Sequence, residues 1–268
     1  MSCHLKISVV IATLNNCEKL KVAIKSVLEQ ELMPDQTVVL DDGSTDDTVS
    51  YLESLQQTLP NLKWRSQTHA GIGVARKQAT IMADGDVIAV LDSDDILYPY
   101  TISRYKETFE NNPGLDLVYG NVAVLDPKGK KLGENRYKTF KNNSAFKKAI
   151  FLRPQIPFKH SAIAFRKKSY FEIGGYDEKC DIKVDIDLIL KFIQHNKTIK
   201  HLDEILAGHR VHKLNMSRNR FKGLKKWYTF IFAYEKNLMN KIFYTISKTI
   251  WESSKVGVET VRSLAFAR

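Results

Sequence analysis

The sequence predicts a doubly wound, mostly parallel α/β sheet with helices on both faces, followed by a basic helical appendage. Three observations carry this. Strand-like and helix-like segments alternate at short spacing through residues 1–125, the pattern of a parallel sheet with crossover helices. Polar residues stand directly at the ends of several strand-like runs. Beyond residue 217 the alternation gives way to helical periodicity laced with lysine.

Taken in order, Ile7-Ser8-Val9-Val10-Ile11-Ala12-Thr13 is a short, β-branched, largely apolar run, as expected of a buried parallel strand. Asn15-Asn16 ends it, and Leu20, Val22, Ala23, Ile24, Val27 and Leu28 then form an apolar stripe on a helix over 17–30. A second strand over 36–40 runs into Asp41-Asp42-Gly43-Ser44, and Ser44 or Thr45 can cap the next helix, which carries Val49, Leu52 and Leu55. Strand 62–67, helix 74–82, strand 87–91, helix 100–110 and strand 116–122 follow. From 127 to 157 the pattern weakens to a long loop with one short helix near 144–151. A strand over 160–165 returns to the sheet, and 184–193 is helical in period. Phe221, Leu224, Tyr228, Ile231, Leu238, Ile242, Ile246 and Ile250 recur at helical spacing, interrupted at Glu235. The expected organisation is an α/β domain over 1–217, divided into 1–125 and 126–217, then an amphipathic appendage over 218–268.

Composition is that of a folded protein: 43% hydrophobic and 26% charged, which excludes disorder of the whole chain. Cys3, Cys17 and Cys180 are scattered, with neither metal-ligand spacing nor a disulfide framework, as suits a reducing compartment. No basic-then-apolar leader is read at the start, and no apolar run approaches the roughly 20 residues of a membrane span. The expected location is cytoplasmic. The net charge of +11 is uneven: twelve Lys and Arg face three Glu over 213–268, whereas the first 212 residues hold 29 basic and 27 acidic groups. That asymmetry points to an anionic surface as partner.

In a doubly wound sheet, ligands bind beyond the C-terminal strand ends, where Thr13, Asp42 and Asp92-Ser93-Asp94 stand. Hard divalent cations such as Mg²⁺ take one or two carboxylates plus phosphate oxygens, and alternate residues Asp92 and Asp94 can face one ligand. The competing reading of Asp92-Ser93-Asp94-Asp95 is a solvated turn with capping aspartates. Asp42 can accept from a pyrimidine N–H or a ribose hydroxyl, or simply close a turn. Two acidic strand ends repel unless a cation bridges them. Gly71-Ile72-Gly73-Val74-Ala75-Arg76 lacks the third glycine of a dinucleotide fingerprint and follows the third strand. Its glycines instead permit a tight entry to a helix whose Arg76 and Lys77 can reach a diphosphate.

These runs resemble family 2 glycosyltransferases. The matching segments are Ser8-Val9-Val10-Ile11-Ala12-Thr13-Leu14-Asn15, the Asp-Asp-Gly-Ser-Thr-Asp run from Asp41, Gly71-x-Gly73-x-Ala75-Arg76, and Gly85 through Asp95. Order and spacing match over about 220 residues. The resemblance implies a GT-A fold, a divalent Mn²⁺ or Mg²⁺, and inverting transfer of a hexosyl or N-acetylhexosaminyl group from a nucleotide sugar, most often UDP-linked. By motif position Thr13 and Asn15 open the nucleotide pocket, Asp42 binds uracil, Arg76 and Ser93 serve the donor, Asp92 contacts ribose or metal, and Asp94 ligates the metal. Gly174-Gly175-Tyr176-Asp177-Glu178 with Val184-Asp185-Ile186-Asp187-Leu188 matches the segment that carries the base, which falls on Asp185. Leu14 stands where many relatives have Tyr, Val184 where Glu is common and Lys191 where Arg is common. His160 matches a position near the acceptor and His212 one near the metal or diphosphate, although each is equally readable as a structural histidine. The implied acceptor is a saccharide or a polyprenyl-diphosphate-linked sugar in polysaccharide or glycolipid assembly. The basic appendage then reads as a helical pair packed on the catalytic domain, an oligomer contact or, the preferred reading, a peripheral contact with anionic membrane. Nucleic acid is not expected, because the acidic strand ends would repel its phosphates.

Two rivals remain at this point: a nucleotidyltransferase-like enzyme and a nucleotide-sugar-binding protein without catalysis. The first would carry a glycine-rich basic signature after the first strand, where this chain has Thr13-Leu14-Asn15-Asn16.

Overall fold

The computed structural model describes residues 5–211 and 220–265. The chain divides into two compact units: Met1–Thr139 with Phe158–His212, and Phe140–Pro157 with Lys213–Arg268. The elements in chain order are β1 (Ile7–Thr13), α1 (Cys17–Leu28), β2 (Gln36–Asp41), α2 (Thr48–Gln56), β3 (Leu62–Ser66), α3 (Ile72–Met82), β4 (Val87–Val90), β5 (Ile96–Leu97), α4 (Thr101–Glu110), β6 (Leu117–Leu125) and β7 (Lys131–Asn135). After α5 (Asn143–Leu152) come a 3-10 turn (His160–Ala162), β8 (Ile163–Arg166), α6 (Lys167–Glu172), α7 (Val184–Gln194), β9 (Ile199–Arg210), α8 (Arg220–Tyr234) and α9 (Leu238–Ala265).

The first unit is built on one nine-stranded sheet in the order β3-β2-β1-β4-β8-β6-β9-β5, with β7 added on β6. Its first four strands are all parallel, and β1 sits between β2 and β4. β8 is antiparallel to both β4 and β6, and β9 runs parallel to β6. β1 and β4 are almost wholly buried, which explains why their sequences are apolar runs without alternation. The core gathers Val9, Ile11, Leu20, Ile24, Val87, Tyr105 and Phe109 among others. The parallel quartet and its helices are the doubly wound arrangement that the sequence predicts.

Four elements lie outside the segments read as strand or helix: β5, β7, α6 and β9. The last is the most consequential. Ile199–Arg210 is punctuated by Lys200, His201, Asp203, Glu204, Gly208 and His209, so no apolar period marks it. Pairing with β6 on one side and β5 on the other makes it a strand, a tertiary override of weak local preference.

The second unit is helical. Residues 140–157, expected with 126–217, group with α8 and α9. Asn142 caps α5 by accepting from the Ala145 N–H at 2.9 Å. Trp227 and Phe151 pack edge to face, and Phe151 lies 5.3 Å from the Tyr244 ring. Lys248 is buried with its ammonium 3.9 Å from the Trp227 ring centre, and it donates to the Arg153 carbonyl at 2.9 Å. The interruption expected at Glu235 is the break between α8 and α9. The Glu235 carboxylate accepts both the Lys236 and Asn237 N–H groups at 2.9 Å and pairs with Lys147 at 3.0 Å. No helix among the described residues is long and apolar enough to cross a membrane.

Gly73 sits in the first turn of α3, where a Cβ would stand 2.5 Å from the Asp177 carbonyl and 2.6 Å from that of Cys180. Both obstacles are backbone, so neither can rotate away. Gly73→Ala is expected to cost about 1–3 kcal/mol, read as a lower urea midpoint with an unchanged slope.

Candidate active site

The parallel register brings the ends of β1 and β2 level: Thr13 is partnered by Asp41, and the Asp42 N–H donates to the Thr13 carbonyl at 2.9 Å. The Thr13 hydroxyl is buried and makes no hydrogen bond. Asn15, held at φ 49°, fastens the two strand exits. Its N–H donates to Ser44 Oγ at 2.7 Å and its side-chain carbonyl accepts the Thr45 N–H at 2.7 Å. Asn16 reaches the third exit, donating to Ser93 Oγ at 3.0 Å.

Asp42 is buried, and the loop after β3 wraps its carboxylate. Gln67 Nε2 and the Ala70 N–H reach Oδ1 at 2.7 and 3.0 Å, while His69 Nδ1 and the Gly71 N–H reach Oδ2 at 2.8 and 2.9 Å. Four contacts fill the roughly four lone-pair sites of a carboxylate. Gly43 makes the wrap possible, since at φ +87° a Cβ would meet the His69 nitrogen at 2.9 Å.

Asp92 is the electrostatic centre. Arg76 Nη2, delivered by the first turns of α3, lies 2.6 Å from Asp92 Oδ1, and His160 Nδ1 lies 2.8 Å from the same oxygen. Burial pushes the Asp92 carboxyl up, but Arg76 and His160 outweigh it and hold the group well below the usual carboxylate range. An ionised carboxylate only accepts, so His160 Nδ1 carries the proton. Burial, reinforced by Arg76, pushes the His160 imidazole down. A neutral ring then leaves Nε2 as an acceptor, and Tyr176 Oη, 2.9 Å away, donates to it. Burial also raises the Tyr176 phenol well above its ordinary value, which keeps that donor protonated. The result is a directed chain, Tyr176 to His160 to Asp92, closed by Arg76.

Asp95 anchors a second network beneath this one. Its side chain is fully buried. Oδ1 accepts from His209 Nδ1 and the Arg210 N–H, both at 3.0 Å, and Oδ2 accepts from Ser161 Oγ at 2.5 Å. Lys159 Nζ stands 3.8 Å from Oδ2. One carboxylate thus ties the exit of β4 to the 3-10 turn and to the end of β9. Asp185, in the first turn of α7, is near enough for its charge to act on Arg76, Lys159, His160 and Tyr176. Lys191 holds that turn in place, donating to the Gly175 carbonyl at 2.7 Å and pairing with Asp187 at 3.1 Å.

The sequence of these strand ends decides the family. The profile of glycosyl transferase family 2 matches residues 8–174. The chain belongs to that family. It is 27% identical over 203 residues to the chondroitin synthase of Escherichia coli, covering 75% of this chain and 28% of that protein. A Campylobacter jejuni relative, GalNAc(5)-diNAcBac-PP-undecaprenol beta-1,3-glucosyltransferase, is 28% identical over 176 residues, covering 65% of this chain and 55% of its own. The chain therefore spans well under two thirds of either. Among solved structures, S. aureus TarS 1-349 in complex with UDP-GlcNAc aligns with TM-score 0.66 and 18% identity, over 93% of this chain and 73% of that one, a likeness of fold. The glycosyltransferase fold that the motifs imply is the fold observed.

The structure links Thr13, Asn15, Asp42, Arg76, Asp92 and Ser93 through contacts at neighbouring strand exits. His160, expected near the acceptor or as a structural histidine, is 2% exposed and engages Asp92 and Tyr176 with its two ring nitrogens. His212 lies outside the described residues. Among the described residues no three His, Cys, Asp or Glu side chains converge as a self-sufficient metal site. Partly exposed Asp94 beside Asp92 still fits a hard cation that draws its remaining oxygens from phosphate and water. Asp92 offers only Oδ2 to such an ion, because Oδ1 already takes two donors. Asp95, Lys159, Tyr176 and His209 join the site beyond the residues to which the motifs assign roles; Asp95, Lys159 and Tyr176 stand beside or within motif segments, and His209 opens the run His209-Arg210-Val211-His212.

Removing the buried Asp95 anion leaves Lys159 and His209 without their acceptor, so Asp95→Leu is expected to cost on the order of 3–5 kcal/mol, measured by chemical denaturation. His160 gives a pH test in metal-free buffer. Its folded value lies below 6.5, so the unfolded chain binds the extra proton in that window and stability falls as pH drops from about 6.5 toward the folded value. His160→Gln should flatten that part of the stability–pH curve.

Proposed function

We propose that this chain is an inverting, metal-dependent glycosyltransferase that moves a hexosyl or N-acetylhexosaminyl group from a UDP-sugar to a saccharide or lipid-linked acceptor. The observation that carries the reading is the meeting of Thr13, Asp42, Asp92 and Asp94 at parallel strand exits with the cations Arg76 and Lys159 and the carboxylate of Asp185. A rim of that kind matches each charge of a nucleotide diphosphate sugar with a partner.

The uridine is assigned to the strand exits that carry Thr13 and Asp42. A base that reaches Asp42 displaces the Gln67 or His69 side chain and leaves the Ala70 and Gly71 N–H groups in place. The unpartnered Thr13 hydroxyl supports a polar ligand there. Arg76 and Lys159 supply fixed positive charge to the diphosphate. Asp94, with the free oxygen of Asp92, would hold Mg²⁺ or Mn²⁺, which neutralises charge on a departing diphosphate. Asp185 takes the proton from the acceptor hydroxyl as that oxygen attacks the anomeric carbon from the face opposite the nucleotide. The bond to the diphosphate oxygen breaks in the same step, and the configuration inverts. Asp92 is held by Arg76 and His160 as an anion that cannot compete for this proton. The UDP assignment draws support from TarS, of like fold, in complex with UDP-GlcNAc, and the lipid-linked acceptor from the undecaprenol named for the Campylobacter jejuni relative.

Transfer from a panel of nucleotide sugars, with and without Mn²⁺, tests the whole reading. Asp185→Asn is expected to lower kcat by about 10²–10⁴-fold, the usual worth of a general base, while the Kd for UDP changes little. Unchanged turnover would remove Asp185 from the role of base.

A further inference from the structure

The described part of the chain exposes sixteen large apolar side chains, and eight of them fall between Phe232 and Trp251. Six of the eight line one side of α9. Leu238, Met239, Ile242, Phe243, Ile246 and Ile250 are between 48% and 72% exposed. At 100° per residue they spread over an arc of about 140°. No charged residue falls within that arc. The opposite side of α9 carries Tyr244 and Lys248, which are buried inside the helical unit. α9 is therefore used on both sides, and its apolar outer side has no partner within the described residues. Scattered exposed leucines are ordinary, but a contiguous apolar stripe marks a binding face.

Charge decides what covers it. The segment 213–268 holds twelve Lys and Arg against three Glu, and Lys222, Lys225 and Lys236 are exposed on or beside α8. Lys241 flanks the stripe, its ammonium 5.5 Å from the ring of exposed Phe232. A second copy of this segment would bring the same excess of positive charge against it. A coiled-coil seam is also narrower than this arc. An anionic lipid surface satisfies both features, since acyl chains receive the apolar stripe while headgroups meet the lysines. We infer that the outer side of α9 docks the protein on anionic phospholipid, lying in the interface plane without crossing it.

Co-sedimentation of the full chain with vesicles tests this independently of any transfer assay. Vesicles containing phosphatidylglycerol should bind the protein and purely phosphatidylcholine vesicles should not, and added salt should weaken the binding. Ile242→Glu with Ile246→Glu should lower the partition coefficient by about tenfold or more per side chain. Both positions are exposed, so the circular dichroism and melting temperature should stay as in the parent chain. Lys225→Glu with Lys236→Glu should abolish the preference for anionic lipid. Equal binding to neutral vesicles, or no binding to either, overturns the inference. So does a dimer in light scattering that Ile242→Glu converts to monomer, which would assign the stripe to a second copy.

Discussion

The carboxylate of Asp92 is an anion in a largely enclosed position, and the site is organised around keeping it ionised. Without Arg76 and His160 its charge would be untenable there. Each partner in turn depends on something distant in sequence. Arg76 reaches Asp92 because α3 begins with Gly73 pressed against the 177–180 turn. His160 is fixed in one tautomer because Tyr176 donates to its far nitrogen. The glycine-rich helix entry and the Gly174-Gly175-Tyr176 segment are thus parts of one electrostatic arrangement, separated by about a hundred residues.

Below Asp92, Asp95 does for the backbone what Arg76 does for charge. Its four contacts tie two chain segments, the 3-10 turn and the end of β9, to the exit of β4, so the exits of β4 and β9 keep their spacing. The two networks meet at Ser161, which receives the Asp92 N–H at 3.3 Å and donates to Asp95. A site that must hold a highly charged donor gains from such a frame, because groups already in place need no reorganisation when charge moves.

The two compact units follow different physics. The first derives its order from central strands buried on both faces, where apolar runs leave little freedom of register. The second is a small helical assembly around Trp227, Phe151 and a buried Lys248, and it spends much of its apolar surface outward. That division explains why the lysines cluster where they do: they are not needed to balance the neutral first unit, and they frame the exposed stripe of the second.

The sequence by itself determined the parallel quartet, the strand-end positions of Thr13, Asp42 and Asp92, and the break at Glu235. Each rests on a short-range pattern, apolar runs ending in polar residues or a helical period interrupted. The tertiary structure alone decided β9, whose polar sequence becomes a strand only between two neighbours. It also decided the grouping of 140–157 with the C-terminal helices and the turning of His160 inward to Asp92. A histidine beside a motif looks the same in sequence whether its ring faces a ligand or a buried carboxylate. What separates the two is which atoms lie within about 3 Å of its nitrogens, and those come from Tyr176 and Asp92, on other parts of the chain.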